Sequence, residues 1–170
     1  SEEAFEVKPL DLTPPAHDVS IAVADFDGDD TDEIALAAKE GGHTVTLYEL
    51  DGTVIRSFPV NASGISLAAG DLDGDEVPEI IVASMAANRQ EVLVYAADGT
   101  ALSPVAMFEN KTRMTPAVGD VDGDDKADII AGQLLKEDQV AIYQSANQAL
   151  THFSVFQSRS RKKTDKAGGQ

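Results

Sequence analysis

An acidic run that recurs three times, a strand-type segment on either side of each copy, and a turn-bearing hairpin after it predict an all-β chain. The predicted architecture is a β-propeller segment of about three four-stranded antiparallel blades, with an N-terminal outer strand of a preceding blade. The first copy reads Asp25-Phe26-Asp27-Gly28-Asp29-Asp30-Thr31-Asp32-Glu33-Ile34, and the others open at Asp71 and Asp120, at offsets of 46 and 49 residues. Four short strands every 40 or 50 residues or so, without a helical period, suit a blade. A β-solenoid is the weaker alternative, because its coils are usually shorter and lack regular hairpin punctuation.

Each blade is assembled in the same order. Short alternating segments at 20–24, 66–70 and 115–119 precede the acidic runs and give the first strands. The β-rich runs 34–38, 80–84 and 129–133 follow and give the second. The third strands, 44–48, 92–95 and 140–143, are rich in β-branched residues and end on Tyr48, Tyr95 and Tyr143. Asp51-Gly52 and Asp98-Gly99 suit tight turns with positive φ, and Ala146-Asn147 stands in the equivalent place of the third repeat. Outer strands at 53–60, 101–108 and 149–156 complete the units, with Phe58, Phe108 and Phe156 available to pack between them.

These segments divide the chain into blade 1 at 19–63, blade 2 at 64–112 and blade 3 at 113–157. Residues 1–18 form the outer strand of a preceding blade and a connection, since Ala4-Phe5-Glu6-Val7-Lys8-Pro9 resembles the fourth-strand segments. Residues 158–170 form a basic tail or inter-blade connection carrying Arg159, Arg161, Lys162, Lys163 and Lys166. Propellers close with roughly 4–8 blades. The expected partners are therefore the remaining blades of a longer chain, or a second copy that completes the ring.

Composition narrows the chemistry. The 170 residues carry 30 acidic and 13 basic side chains, a net charge of −17, and 42% of them are hydrophobic, enough for one domain with a core. The acidic surplus argues against nucleic acid and anionic membrane surfaces as partners and favours cations. The chain has no cysteine, which excludes disulfide scaffolds, zinc-thiolate sites, iron–sulfur clusters and thiol nucleophiles. No run approaches the ~20 apolar residues of a membrane span, so membrane insertion is not expected. The start Ser1-Glu2-Glu3 lacks a signal-peptide pattern and reads as a mature or excised segment.

The acidic runs carry the candidate site. Counting from the first Asp, carboxylates stand at positions 1, 3, 5 and 9: Asp25, Asp27, Asp29 and Glu33; Asp71, Asp73, Asp75 and Glu79; Asp120, Asp122, Asp124 and Asp128. Carboxylates ~4–5 Å apart repel by about 1 kcal/mol per pair even in bulk water, so such a loop calls for a cation. All-oxygen ligands select a hard metal, and several anionic oxygens favour Ca²⁺ over Mg²⁺, giving about three Ca²⁺ ions, one per loop. Position 7 would add a main-chain carbonyl, from Thr31, Val77 or Lys126, whose side chains differ completely. Gly28, Gly74 and Gly123 at position 4 permit a sharp bend. An EF-hand is excluded, since it needs Gly at position 6 and Glu at position 12, where this chain has Asp30, Glu76 or Asp125 and Leu36, Val82 or Ala131.

With these residues in view, the sequence resembles the FG-GAP or VCBS-type repeats, whose relatives include the calcium-binding blades of integrin α-subunit propellers. The resemblance runs from about residue 5 to 156 and rests on 25–33, 71–79 and 120–128, which match D-x-[DN]-G-D-x-x-x-[DE]. It implies that each loop joins the first and second strands of a blade and binds Ca²⁺ on one face of the propeller. Position 6, commonly a second Gly in the bacterial-type pattern, is acidic here, and Glu33 and Glu79 end the first two loops in place of Asp.

Enzyme chemistry is not expected. His17, His43 and His152 occupy non-equivalent places, and neither G-x-x-x-x-G-K-[ST] nor G-x-G-x-x-G is present. The expected function is a non-catalytic, Ca²⁺-stabilised propeller segment of a secreted or cell-surface protein, extracellular or periplasmic. It would serve as a scaffold for adhesion, assembly or protein/glycan interaction. The alternative is an accessory propeller of a larger secreted enzyme, for example a polysaccharide-active one, whose catalytic residues lie outside this chain. A structural role for Ca²⁺ is expected ahead of a regulatory one, because weak sites of about 10⁻⁴–10⁻³ M fill at extracellular concentrations. Asn61-Ala62-Ser63 and Asn110-Lys111-Thr112 are glycosylation sequons at equivalent positions after outer strands.

Overall fold

A computed structural model describes residues 18–134 and 139–155. Twelve strands form three four-stranded antiparallel sheets, and no helix occurs among the described residues. Blade 1 runs β1 (Val19–Ala24), β2 (Glu33–Ala38), β3 (Thr44–Tyr48) and β4 (Val54–Pro59) in spatial order. Blade 2 is β5 (Ile65–Gly70), β6 (Glu79–Ser84), β7 (Glu91–Tyr95) and β8 (Val105–Ala106). Blade 3 is β9 (Arg113–Gly119), β10 (Asp128–Leu134), β11 (Gln139–Gln144) and β12 (Ala149–Ser154). The first strands stand side by side, β1 against β5 and β5 against β9, as a propeller axis requires; the three sheets do not close into a ring.

Two cores, one on each side of blade 2, hold the blades together. Because side chains alternate across a strand, β6 sends Ile80 and Val82 to one face and Ile81 and Ala83 to the other. The first pair packs with Ala22, Ala35, Val45, Leu47, Phe58, Ile65 and Leu67. The second joins Val92, Val94, Met107, Met114, Ile129, Ala131 and Ala141. Covered on both faces, β6 is buried along its whole length, so it reads as a continuous apolar run and not as an alternation. Among the described residues, strand β1 is covered by blade 2 on one face: Ala22 is buried while Ile21 and Val23 are 55% and 53% exposed. Ser20 Oγ accepts the N–H of Leu67 at 2.9 Å and fixes the two inner strands in register.

Two elements differ from expectation. The outer strand of blade 2, expected over 101–108, pairs only through Val105–Ala106 and an isolated bridge from Ala101 to Tyr95. Pro104, between them, has no N–H to give to β7. The third turn is Asn147-Gln148, one residue beyond Ala146-Asn147. Asn147 Oδ1 accepts the N–H of Ala149 at 2.8 Å, as Asp51 does from Thr53 and Asp98 from Thr100, each at 2.8 Å. Gln148 takes φ 58°, matching Gly52 and Gly99 at 90° and 85°.

The packing aromatics fall as expected where they are described. Phe58 meets Tyr95 across the blade interface at 5.6 Å between ring centroids, and Phe108 meets His152 at 5.8 Å. The nitrogens of His43 and His152 contact main-chain carbonyls of Ala62 and Met107, at 2.5 and 2.6 Å. Phe156, His17, the N-terminal outer strand and the basic tail lie outside the described residues.

Candidate metal centres

All three acidic loops connect the first strand of a blade to the second: β1 to β2, β5 to β6 and β9 to β10. The strands therefore fix both ends of each loop, and the loop's own carboxylates fold what lies between. The position-1 aspartate organises the bend. Asp25 Oδ1 accepts the N–H groups of Gly28 at 2.7 Å and Asp29 at 3.2 Å, and Oδ2 accepts that of Asp30 at 2.9 Å. Asp71 repeats this with Gly74, Asp75 and Glu76, and Asp120 with Gly123, Asp124 and Asp125. Converging donors require two left-handed residues per loop: Gly28, Gly74 and Gly123 at 78°, 86° and 82°, and Asp30, Glu76 and Asp125 at 68°, 71° and 68°.

Positions 5 and 9 tie the rest. Asp29, Asp75 and Asp124 accept the N–H of Thr31, Val77 and Lys126, respectively, at 2.8, 2.9 and 3.0 Å. Buried Glu33 and Glu79 reach back to the N–H of Phe26 and Leu72 at 2.7 and 2.8 Å. Asp128, one carbon shorter, accepts from Val121 at 3.1 Å and from Ser145 at 3.0 Å, so both its oxygens are engaged.

Carboxylate oxygens then gather. Those of Asp25, Asp27, Asp29 and Glu33 lie within 4.8 Å of one another, as do those of Asp71, Asp73 and Glu79, and of Asp120, Asp122 and Asp128. Asp75 and Asp124 stand outside these groups, engaged with the main chain. In blade 1 the group includes a buried atom with nothing to bond. Glu33 is 1% exposed and its Oε1 has no hydrogen-bond partner among the described residues. An unsatisfied buried acceptor facing three more carboxylates costs free energy unless a cation meets it. The acceptor-only set and that orphaned oxygen fit a hard divalent ion.

The electrostatics agree. Burial, and then the charges of Asp27, Asp25 and Asp29, push the Glu33 carboxyl up despite the Phe26 N–H. Glu79 is raised likewise by burial and by Asp73, Asp75 and Asp71. Asp122 is raised by desolvation and by Asp124, Asp128 and Asp120. The position-1 aspartates go the other way: desolvation opposes ionisation of Asp25 and Asp71, but their converging amide donors outweigh it and hold both below the usual carboxylate range. Asp120 is held low chiefly by the Gly123 amide.

Three contacts have no counterpart in the sequence pattern. Gln144 Nε2 donates to Asp122 Oδ2 at 2.6 Å, Ser145 caps Asp128, and the Lys126 ammonium donates to the main-chain carbonyl of Asp73 in the neighbouring blade. Each joins residues far apart in sequence. The weak signal available was that Gln144 and Ser145 directly follow the repeat tyrosine.

Blades joined through inner strands, each with an acidic loop between its first two strands, define a β-propeller repeat scaffold. The family model for the FG-GAP-like repeat matches residues 25–82 and 71–131, and the chain belongs to that family. No curated protein matches it. Among solved structures it is similar to BBS1N in complex with ARL6DN soaked with lead, at 12% identity and TM-score 0.59, covering 80% of this chain and 43% of that one. The mercury-soaked form of the same complex gives 13%, 0.59, 79% and 43%. At this identity the likeness shows the fold, and the chain spans less than half the length of these neighbours.

Proposed function

We propose that this chain is a non-catalytic, Ca²⁺-stabilised part of a propeller in a secreted or cell-surface protein, and that it presents its loops as a rigid surface for adhesion, assembly or a protein or glycan partner. The observation that carries the reading is the buried, unpartnered Oε1 of Glu33 within a four-carboxylate cluster. In blade 1, Asp25, Asp27, Asp29 and Glu33 would hold the ion with the Thr31 carbonyl. In blade 2 the set would be Asp71, Asp73, the Val77 carbonyl and Glu79, with Asp75 turning in from the Val77 amide. In blade 3 it would be Asp120, Asp122, the Lys126 carbonyl and Asp128, with Asp124 turning in from the Lys126 amide. A bound ion supplies charge neutralisation and a cross-link within each loop.

The chain's own residues do the rest: position-1 aspartates fold the loop, and position-9 carboxylates anchor it to the N–H of the residue after that aspartate, Phe26, Leu72 or Val121. A surface with −17 net charge and no disulfide gains rigidity from millimolar Ca²⁺, which supports an extracellular setting. Flanking blades, from a longer chain or a second copy, would cover Ile21 and Val23 on the outer face of β1. Isothermal calorimetry on chelator-treated, dialysed protein tests the reading. About three Ca²⁺ per chain, with Mg²⁺ weaker, is expected; no Ca²⁺ heat up to 10 mM or so would overturn it.

A further inference from the structure

The three loops are not equivalent, because one contact between them is made only once among the described blades. Positions 7 and 8 of the blade-3 loop, Lys126 and Ala127, clasp the start of the blade-2 loop. The Ala127 N–H donates to the Asp71 carbonyl at 2.7 Å, and the Lys126 ammonium donates to the Asp73 carbonyl. The lysine stem lies across Gly74, where an added Cβ would come within 3.1 Å of Lys126 Cε and 3.4 Å of Nζ. The corresponding residues of the blade-2 loop, which would reach toward blade 1, are Val77 and Pro78. Valine has no ammonium and proline has no N–H, so neither bond can be repeated there.

The blade-2 loop thus carries an ammonium seated on the main-chain carbonyl of Asp73, one of its gathered aspartates, while the blade-1 loop gathers four carboxylates and faces Val77 and Pro78, which cannot make this clasp. We propose that Lys126 is a built-in counter-cation of the blade-2 loop, which weakens that loop's divalent-ion affinity relative to the blade-1 loop. This rests on the Ca²⁺ reading above. Without metal, the ammonium offsets part of the repulsion among Asp71, Asp73 and Glu79; with metal, it faces a second cation. A unit charge several ångströms from a divalent ion in a partly water-like medium changes affinity by about tenfold.

The position-4 glycines give one reporter per loop, since Gly28, Gly74 and Gly123 each donate to their own position-1 aspartate. Their amide resonances are followed by NMR while CaCl₂ is added to the full chain. In the wild type, Gly28 moves at lower Ca²⁺ than Gly74. Lys126→Met, which keeps the stem over Gly74, and Lys126→Gln are expected to lower the Gly74 midpoint about tenfold and to leave Gly28 unchanged, while Lys126→Arg stays at wild type. A Gly74 midpoint that is unchanged or higher in both uncharged variants overturns the proposal and leaves Ca²⁺ binding intact, and so does an equal shift at Gly28. If none of the three glycines responds to Ca²⁺, the proposal falls together with the functional reading.

Discussion

Glu76 holds φ 71° at position 6 of its loop, where Asp30 and Asp125 hold 68°. Aspartate tolerates this region better than glutamate, because its short side chain bonds locally. Glu76→Gly is therefore expected to stabilise the metal-free protein by about 1 kcal/mol, measured by urea unfolding. The carboxylates at position 9 set a pH dependence of opposite sign to the usual one. Glu33 and Glu79 have raised values in the folded, metal-free chain. Their contribution is thus fully present below the ordinary glutamate value and is lost as pH rises through the folded value. Asp25, Asp71 and Asp120 are lowered, so theirs is lost only as pH falls below the ordinary aspartate range, about pH 4. Dialysed, metal-free protein should accordingly melt higher at pH 5 than at pH 7, and Glu33→Gln should flatten the difference; equal melting points in the wild type would contradict this. At this scale the clustered carboxylates were legible because their spacing lies within nine residues, although the same spacing also includes Asp75 and Asp124, which stand outside the clusters. The Lys126–Asp73 and Gln144–Asp122 contacts were not, because folding brings together residues 53 and 22 positions apart.

The hairpins show how a turn keeps its geometry after losing its usual residue. Asp51-Gly52, Asp98-Gly99 and Asn147-Gln148 all place a side-chain oxygen on the N–H two residues on, followed by a positive φ. Glycine meets that φ at no steric cost and glutamine does not, so Gln148→Gly should raise stability by about 1 kcal/mol, readable as a higher urea midpoint with unchanged slope. A reduced midpoint would mean that Gln148 makes a compensating contact. Sequence located the first two turns from Asp-Gly pairs. In the third, Asn147 carries the signal but Gln148 gives no cue to the left-handed position, so the observed turn lies one residue beyond the expected Ala146-Asn147. The outer strand of blade 2 is shorter than the 101–108 that the repeat register predicts, because Pro104 lacks the N–H needed to continue the ladder beyond Val105–Ala106.

For the molecule as a whole, blade 2 is the keystone, since β6 contributes to both inter-blade cores. The repeat period made the blade architecture legible, because equivalent strands must bury equivalent faces against the next blade. Which face of β1 goes uncovered was not legible, since Ile21 and Val23 are as apolar as any core residue. Ionised, the three loops concentrate carboxylates that the protein neutralises only in part, and the FG-GAP-like scaffold is expected to lean on cations for the balance. Thermal unfolding of the full chain in excess EDTA, then with millimolar Ca²⁺ or Mg²⁺ restored, tests this most directly. A melting temperature that rises by ten degrees or so with Ca²⁺ and much less with Mg²⁺ is expected, corresponding to roughly 2–4 kcal/mol of linked binding. A melt indifferent to both ions would contradict the account and leave the acidic loops as hydrated turns.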